Sequence, residues 1–142
     1  MVPIRADKPA NREIVAAVLA HRDQICLLRR SQHVSSDRGR WHCVTGYLDL
    51  AYDPAQQARL EILEETGLAA NDLVKFRTGP KLTLPDGEDR DWHVSTYWVE
   101  VASAEIHLNW EHDSYRWIGN DDRFPSRTVS WLSLVLDAVG WT

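Results

Sequence analysis

Residues 46–68, Gly-Tyr-Leu-Asp-Leu-Ala-Tyr-Asp-Pro-Ala-Gln-Gln-Ala-Arg-Leu-Glu-Ile-Leu-Glu-Glu-Thr-Gly-Leu, constrain this chain more than any other stretch. A loop opened by Gly46 runs into a helix whose two ends are both written in the sequence. Asp53 is a capping residue, Pro54 suits the first helical position, and Gly67 stands where a left-handed residue closes a helix. Inside it, Glu61, Glu64 and Glu65 recur at i, i+3 and i+4, which places three carboxylates on one helical face within about 5–6 Å of one another. Carboxylates in the last turns also oppose the helix macrodipole, which favours cations at that end. Such a cluster is either a solvated acidic face or a cation site. Compact hard-oxygen donors suit magnesium or manganese better than zinc, and breaches of local rules concentrate at functional sites.

Around this helix the chain alternates strand and turn signals. Glu13 to Ala20 and Gln24 to Arg30 are aliphatic runs separated by His21-Arg22-Asp23, a hairpin pattern. Gln32 to Arg40 is polar and reads as a loop, a class of segment that often carries binding residues. The short strand Trp41 to Thr45 follows. Leu73 to Thr78 and Lys81 to Leu84 read as strands, Pro85-Asp86-Gly87 as a turn, and Trp92 to Val101 as the longest strand. On that strand His93, Ser95 and Tyr97 share one face, with Trp92, Val94, Thr96 and Trp98 on the other. Tyr115 to Ile118 is a further short strand. Ser126 to Val139 reads as a second amphipathic helix with the apolar stripe Val129, Leu132, Val135 and Leu136. The tract from Ala6 to Arg12 is polar and reads as loose. Strands before, between and after two helices indicate an α+β fold, an α/β/α sandwich.

With 142 residues, 44% of them hydrophobic, the chain suits one domain spanning 1–142 with a sizeable core. The net charge of −5 argues against a polymeric nucleic-acid partner, which needs a basic stripe. Met1 to Pro9 lacks the apolar core of a signal peptide, and no apolar run approaches the ~20 residues of a membrane span, so the expectation is a cytoplasmic protein. Cys26 and Cys43 lack metal-type spacing and read as buried free thiols.

Gly46, Glu61, Ile62, Glu64, Glu65, Gly67 and Leu68 together resemble the Nudix box, and the resemblance extends across nearly the whole chain. Two positions depart from the box: Tyr52 stands where the family has its first glutamate, and Leu60 where it has arginine, with Arg59 one place early. That pair is expected to brace the loop against the helix, and Asp49 is a candidate to replace the missing glutamate in part. Val44-Thr45-Gly46 resembles the version found in dihydroneopterin triphosphate diphosphatases and related nucleoside triphosphate hydrolases. Trp110-Glu111-His112-Asp113-Ser114-Tyr115-Arg116-Trp117 looks like a stretch of the same group in which the glutamate approaches the metal from a loop.

The resemblance implies a Nudix-type sandwich with a mixed central sheet. It also implies a hydrolase that cleaves the diphosphate linkage of a small metabolite, a nucleoside or pterin triphosphate above all. Glu61, Glu64, Glu65 and Glu111, with the Gly46 carbonyl, would hold Mg2+, with Mn2+ as a substitute, and Glu61, Glu65 or Glu111 would take a proton from the attacking water. His112 reads as a helper or a packed residue. Among Arg29, Arg30, Arg38 and Arg40, the pair Arg30 and Arg40 are the candidate phosphate clamps. Of the seven tryptophans, Trp41 is expected near a ligand together with Tyr47, whereas Trp98, Trp117 and Trp131 read as packing. A homodimer is a further expectation. Two alternatives stay open: a nucleotide-binding or regulatory module that has lost hydrolysis with its Tyr52 and Leu60 departures, and a prenyl diphosphate enzyme.

Overall fold

The computed structural model describes residues 11–86 and 90–141. β1 (Glu13–His21) and β2 (Gln24–Arg30) form the expected hairpin. Arg22 and Asp23 both take positive φ, 50° and 65°, the backbone of the type I′ turn that matches strand twist. The two strands pair only at Ala20–Ile25 and His21–Gln24, and then diverge. β3 (Trp41–His42) enters the fork along β2, with His42 opposite Leu28, and β4 (Val44–Tyr47) leaves it along β1, with Val44 opposite Ala17 and Gly46 opposite Val15. The expected single strand Trp41 to Thr45 is therefore two arms of a V with Cys43 at its apex, because each arm finds its hydrogen-bond partners on a different strand.

β7 (Asp91–Val101) lies parallel to β1 over eight residue pairs, from Glu13–His93 to Ala20–Glu100. Its other side carries β5 (Leu73–Thr78) and β6 (Leu82–Pro85), both antiparallel to it. β8 (His112–Gly119) pairs antiparallel with β2. The result is one mixed eight-stranded sheet. β8 is longer than the expected Tyr115 to Ile118, since β2 offers it a ladder along its whole length. β6 begins one residue later than expected and takes in Pro85, whereas Gly87 of the expected turn, like Ala6 to Ala10 of the N-terminal tract, lies outside the described residues. β5 and β6 share one sheet edge that breaks at Gly79-Pro80. There the Thr96 hydroxyl donates to the Pro80 carbonyl at 2.7 Å, and a Cβ on Gly79 would come within 2.6 Å of that hydroxyl oxygen.

The two helices cover opposite faces of the sheet, as the sandwich expectation requires. α1 (Pro54–Thr66) buries Ala58 and Ile62 against Val15, Ala17, Leu28, Val44 and Tyr97. α2 (Leu132–Val139) buries Leu132, Val135, Leu136 and Val139 against Ala16, Val18, Leu27, Cys43 and Val94. The alternation along β7 is as expected, with Tyr97 on the α1 side and Val94 and Trp98 on the α2 side. Both cysteines are free and buried.

The second helix is shorter than the expected Ser126 to Val139. Trp41 N–H donates to the Arg127 carbonyl and Val129 N–H to the Trp41 carbonyl, at 2.8 and 2.9 Å. This extended pairing claims the backbone groups that an earlier helical turn would need. Val129 is buried as the periodicity suggests, at 2% exposure, but ahead of the helix. Trp98, Trp117 and Trp131 pack against the two cores as expected. Among the described residues no helix is long and apolar enough to cross a membrane.

Candidate active site

α1 owes its exact placement to its ends. Asp53 accepts from the Gln56 N–H at 2.8 Å, the Gln56 side chain accepts from the Asp53 N–H at 3.0 Å, and Pro54 starts the helix. Gly67 closes it at φ 78°, donating its N–H to the Leu63 carbonyl at 2.9 Å. Between these caps the helix turns Glu61 and Glu65 toward the fork where β3 and β4 part. A Cβ on Gly46 would overlap the Glu61 carboxyl, so only glycine at that point of β4 lets the carboxylate lie on the strand.

Glu65 is 1% exposed, and neither of its carboxylate oxygens meets an N–H or O–H donor. Its close neighbour is another carboxylate, Glu61, which can accept a bond from Glu65 only when Glu65 carries a proton. Burial, then the charges of Glu111 and Glu61, hold the Glu65 carboxyl well above the ordinary carboxylate range. Burial likewise pushes Glu61 up to about 7, against the opposing pull of its hydrogen bonds. Glu111 arrives from the segment just before β8. Its carboxylate accepts from the Asn109 amide at 3.3 Å, and its backbone is fixed by an Asn109 turn and by the Ser31 N–H. Burial raises Glu111 as well, while Arg30 opposes the rise. Glu64 is exposed beside the pair.

Two histidines line the same interior. His112 is 5% exposed, its Nδ1 3.9 Å from Glu65 Oε1. His42 is 2% exposed, packs edge-on against Trp131 at 4.5 Å, and has no hydrogen-bond partner at either ring nitrogen. Burial lowers both to about 3, with Arg30 adding to the effect, so both are neutral imidazoles at neutral pH. The expectation for His112, a packed helper, fits this position.

Arg30 is the arginine that the fold brings to the carboxylates: its charge acts on Glu65, Glu111, His42 and His112. Its Nε donates to the Ser36 carbonyl at 3.0 Å, which anchors the loop that precedes β3. Arg40 is exposed, and its partners are Asp37 and the Thr128 carbonyl. Arg38 donates to the Val34 carbonyl of its own loop.

Trp41 lies on the other face of the sheet, in a cavity of about 430 Å³ lined also by Arg29, Gln32, Asp113, Arg116 and Arg127. The Arg29 and Arg116 guanidinium carbons stand 5.9 and 5.8 Å from the Trp41 ring centre, within cation–π range. Arg29 Nε donates to Asp113 at 2.7 Å. Consecutive residues of β2 thus serve two sites, Arg30 the acidic centre and Arg29 the basic cavity. Tyr47 joins neither group; it stacks on Trp92, ring centres 5.7 Å apart, on the face covered by α2. The bend at Cys43 decides which way these aromatic side chains face.

The fit of a divalent cation can be judged from the donors present. Among the described residues no three His, Cys, Asp or Glu side chains already converge as a ligand set. The donors nearest to doing so are oxygens of the half-buried Glu61 and of the buried Glu65, whose carboxylate meets no hydrogen-bond donor, the condition a hard divalent ion would relieve. The residues therefore fit magnesium or manganese.

Gln57 carries the bracing role expected in part of Asp49. Its Oε1 accepts from the Asp49 N–H at 3.0 Å and its Nε2 donates to Glu61 Oε2 at 2.7 Å. The Asp49 carboxylate instead accepts from the Ala51 N–H within the loop. Arg59 places its guanidinium 4.0 Å from the Phe76 ring centre. In the sequence, the only signal for Gln57 is its place four residues before Glu61.

Residues 10–134 match the NUDIX domain family. The rat (Rattus norvegicus) bis(5'-nucleosyl)-tetraphosphatase (asymmetrical) is 31% identical over 85 residues, which cover 58% of this chain and 57% of that protein. The matched stretch therefore spans little more than half of the relative. Among solved structures, a MutT NUDIX hydrolase from Burkholderia pseudomallei superposes with a TM-score of 0.73 at 23% identity, covering 90% of this chain and 97% of that one. The NUDIX domain of Shewanella oneidensis NrtR, complexed with ADP ribose, gives 0.68 at 19% identity over 89% and 84% of the two chains. An Ap4A hydrolase from C. elegans gives 0.61 at 16% identity over 75% and 79%. With its fold shared by these structures and its family match running from the first described strand into the second helix, the chain belongs to the NUDIX domain family.

Proposed function

We propose that this protein hydrolyses a diphosphate linkage in a nucleoside polyphosphate with the help of a bound divalent cation. The observation that carries the reading is the buried Glu65 carboxylate, whose oxygens meet no hydrogen-bond donor and which stands beside the half-buried Glu61 and Glu111. Glu61, Glu64, Glu65 and Glu111, with the Gly46 carbonyl, would hold Mg2+, or Mn2+ in its place. When bound, the cation screens the phosphate oxygens against an incoming nucleophile. Arg30 binds phosphate oxygens from the side of β2. Glu111, its basicity raised by burial and its orientation fixed by Asn109, accepts a proton from the attacking water. The rat relative's name supports a dinucleoside polyphosphate as substrate, and the resemblance of Val44-Thr45-Gly46 supports a nucleoside or pterin triphosphate.

The test is phosphate release, coupled to pyrophosphatase, from nucleoside triphosphates, dihydroneopterin triphosphate, dinucleoside polyphosphates and ADP-ribose, each with magnesium and with chelator. Turnover of one class that stops with chelator, and falls at least about 100-fold in Glu65→Gln, is the expected result. Arg30→Ala should raise KM, since Arg30 is the arginine whose charge reaches Glu65 and Glu111. Tight calorimetric binding of a nucleotide without product would instead favour a binding module, the reading that Tyr52 and Leu60 support. Turnover that survives Glu65→Gln would overturn the proposal.

A further inference from the structure

We propose that Gln57 is a positioning residue that fixes the Glu61 carboxylate for cation binding. It would do the work of the glutamate and arginine that Tyr52 and Leu60 replace. The inference rests on the reading of Glu61 as a cation ligand.

The geometry is that of a bridge. Gln57 is 4% exposed, and both ends of its amide are used: Oε1 accepts from the Asp49 N–H of the loop at 3.0 Å, and Nε2 donates to Glu61 Oε2 at 2.7 Å. One turn of α1 separates it from Glu61, so a side chain at i reaches the carboxylate at i+4 without strain. The Glu61 carboxyl is then confined between the Gln57 amide and the bare backbone of Gly46. Gln57 holds Oε2, so the carboxylate would meet a cation in one orientation, beside Glu65.

The residues at the two departed positions do not supply this bridge. Tyr52 is 43% exposed, and Leu60 has no polar group to offer. Arg59, one place from the family's arginine, is engaged with Phe76. A neutral amide also suits the site in a way that a second cation would not. It holds a carboxylate by a short charge-assisted hydrogen bond yet leaves the negative charge of the pair for the metal to neutralise.

The experiment measures Mn2+ affinity by electron paramagnetic resonance on the full chain without substrate, beside kcat, KM and the melting temperature. Gln57→Met keeps length and volume and removes both hydrogen bonds. It is expected to weaken Mn2+ binding about 10- to 100-fold, as loss of an outer partner of a ligand does, and to lower kcat with KM within about threefold. Introducing Tyr52→Glu and Leu60→Arg together into Gln57→Met is expected to recover part of the Mn2+ affinity, which a merely space-filling role for Gln57 would not produce. Should Gln57→Met not fold, Gln57→Asn, one methylene too short to bridge, carries the same expectation.

Mn2+ affinity within twofold of wild type in the folded variant overturns the proposal. The underlying reading fails separately: if Glu65→Gln also leaves Mn2+ affinity unchanged, the carboxylates are not the cation site. Weakened Mn2+ binding in Gln57→Met beside a wild type that hydrolyses no substrate would keep the positioning role and remove the hydrolysis.

Discussion

Replacing Glu61 with Gln should stabilise the cation-free protein at alkaline pH, with a magnitude that follows from the burial of the site. Burial raises the Glu61 carboxyl from 4.5 to about 7. At about 1.4 kcal/mol per unit of pKa, the ionised side chain costs the folded protein about 3 kcal/mol at pH 8. Because the folded-state value lies above the unfolded one, this contribution to stability is fully present below pH 4.5 and is lost as pH rises through 7. Glu61→Gln removes the charge and can still accept the Gln57 hydrogen bond through its amide oxygen. The variant should therefore be more stable than wild type at pH 8 by on the order of 3 kcal/mol, roughly 10 °C in melting temperature for a domain of this size, and loss of the Glu61 charge, which helps to raise Glu65, acts in the same direction. The gap should close toward pH 4.5. His42 and His112, lowered to about 3, have the opposite dependence and lose stability as pH falls below 6.5. They are common to both proteins and drop out of the difference. The assay is differential scanning calorimetry in chelator from pH 5 to 8.5, and added magnesium should stabilise wild type more than the variant. A gap that is absent at pH 8, or the same at every pH, would refute the argument that Glu61 is held in a site which disfavours its charge.

Two further predictions concern the frame that carries the site. Ile62 is 0% exposed in the core beneath α1, so Ile62→Ala should cost about 2–5 kcal/mol in urea unfolding with an unchanged m-value; a loss under 1 kcal/mol would show that the helix is loosely seated. At Gly67, φ is +78° and a Cβ would stand 3.2 Å from His107 Cβ. Gly67→Ala should therefore cost at least about 1–2 kcal/mol, and Gly67→Asn less, since Asn tolerates the left-handed region; equal costs would point to crowding by His107 as the sole cause.

What the sequence reveals here follows the range of the interactions. The box helix was legible to the residue because Asp53, Pro54 and Gly67 are local signals. Gln56, which completes the cap, simply adds to them. The helix expected from Ser126 was too long because its apolar period ignores Trp41, more than 80 positions earlier, whose backbone holds Arg127 and Val129 extended. Tyr47 and Trp41 could not be oriented from strand alternation, since the bend at Cys43 exists only where β1 and β2 part. For Gln57 the i, i+4 spacing to Glu61 is too weak a signal for a related reason: a polar residue on a helix reads as solvent-facing until the loop that caps it is placed. Glu111 and Arg30 are legible through resemblance and loop position, and the fold places both close enough to the Glu65 carboxylate to act on it.

The break at Gly79-Pro80 has a consequence for how the protein behaves in a crowded solution. An unbroken β5–β6 edge would present a long row of free backbone groups to any other strand, the usual template for aggregation. Proline removes one donor from that row, and the Gly79 N–H is turned inward to the Thr96 carbonyl. Lys75 and Arg77, both exposed, then place positive charge along what is left of the edge. A second copy offering its own β5–β6 edge would meet an interrupted ladder and like charge at once. The constraint that fits Gly79 against Thr96 thereby also guards the sheet against growing from outside at this edge.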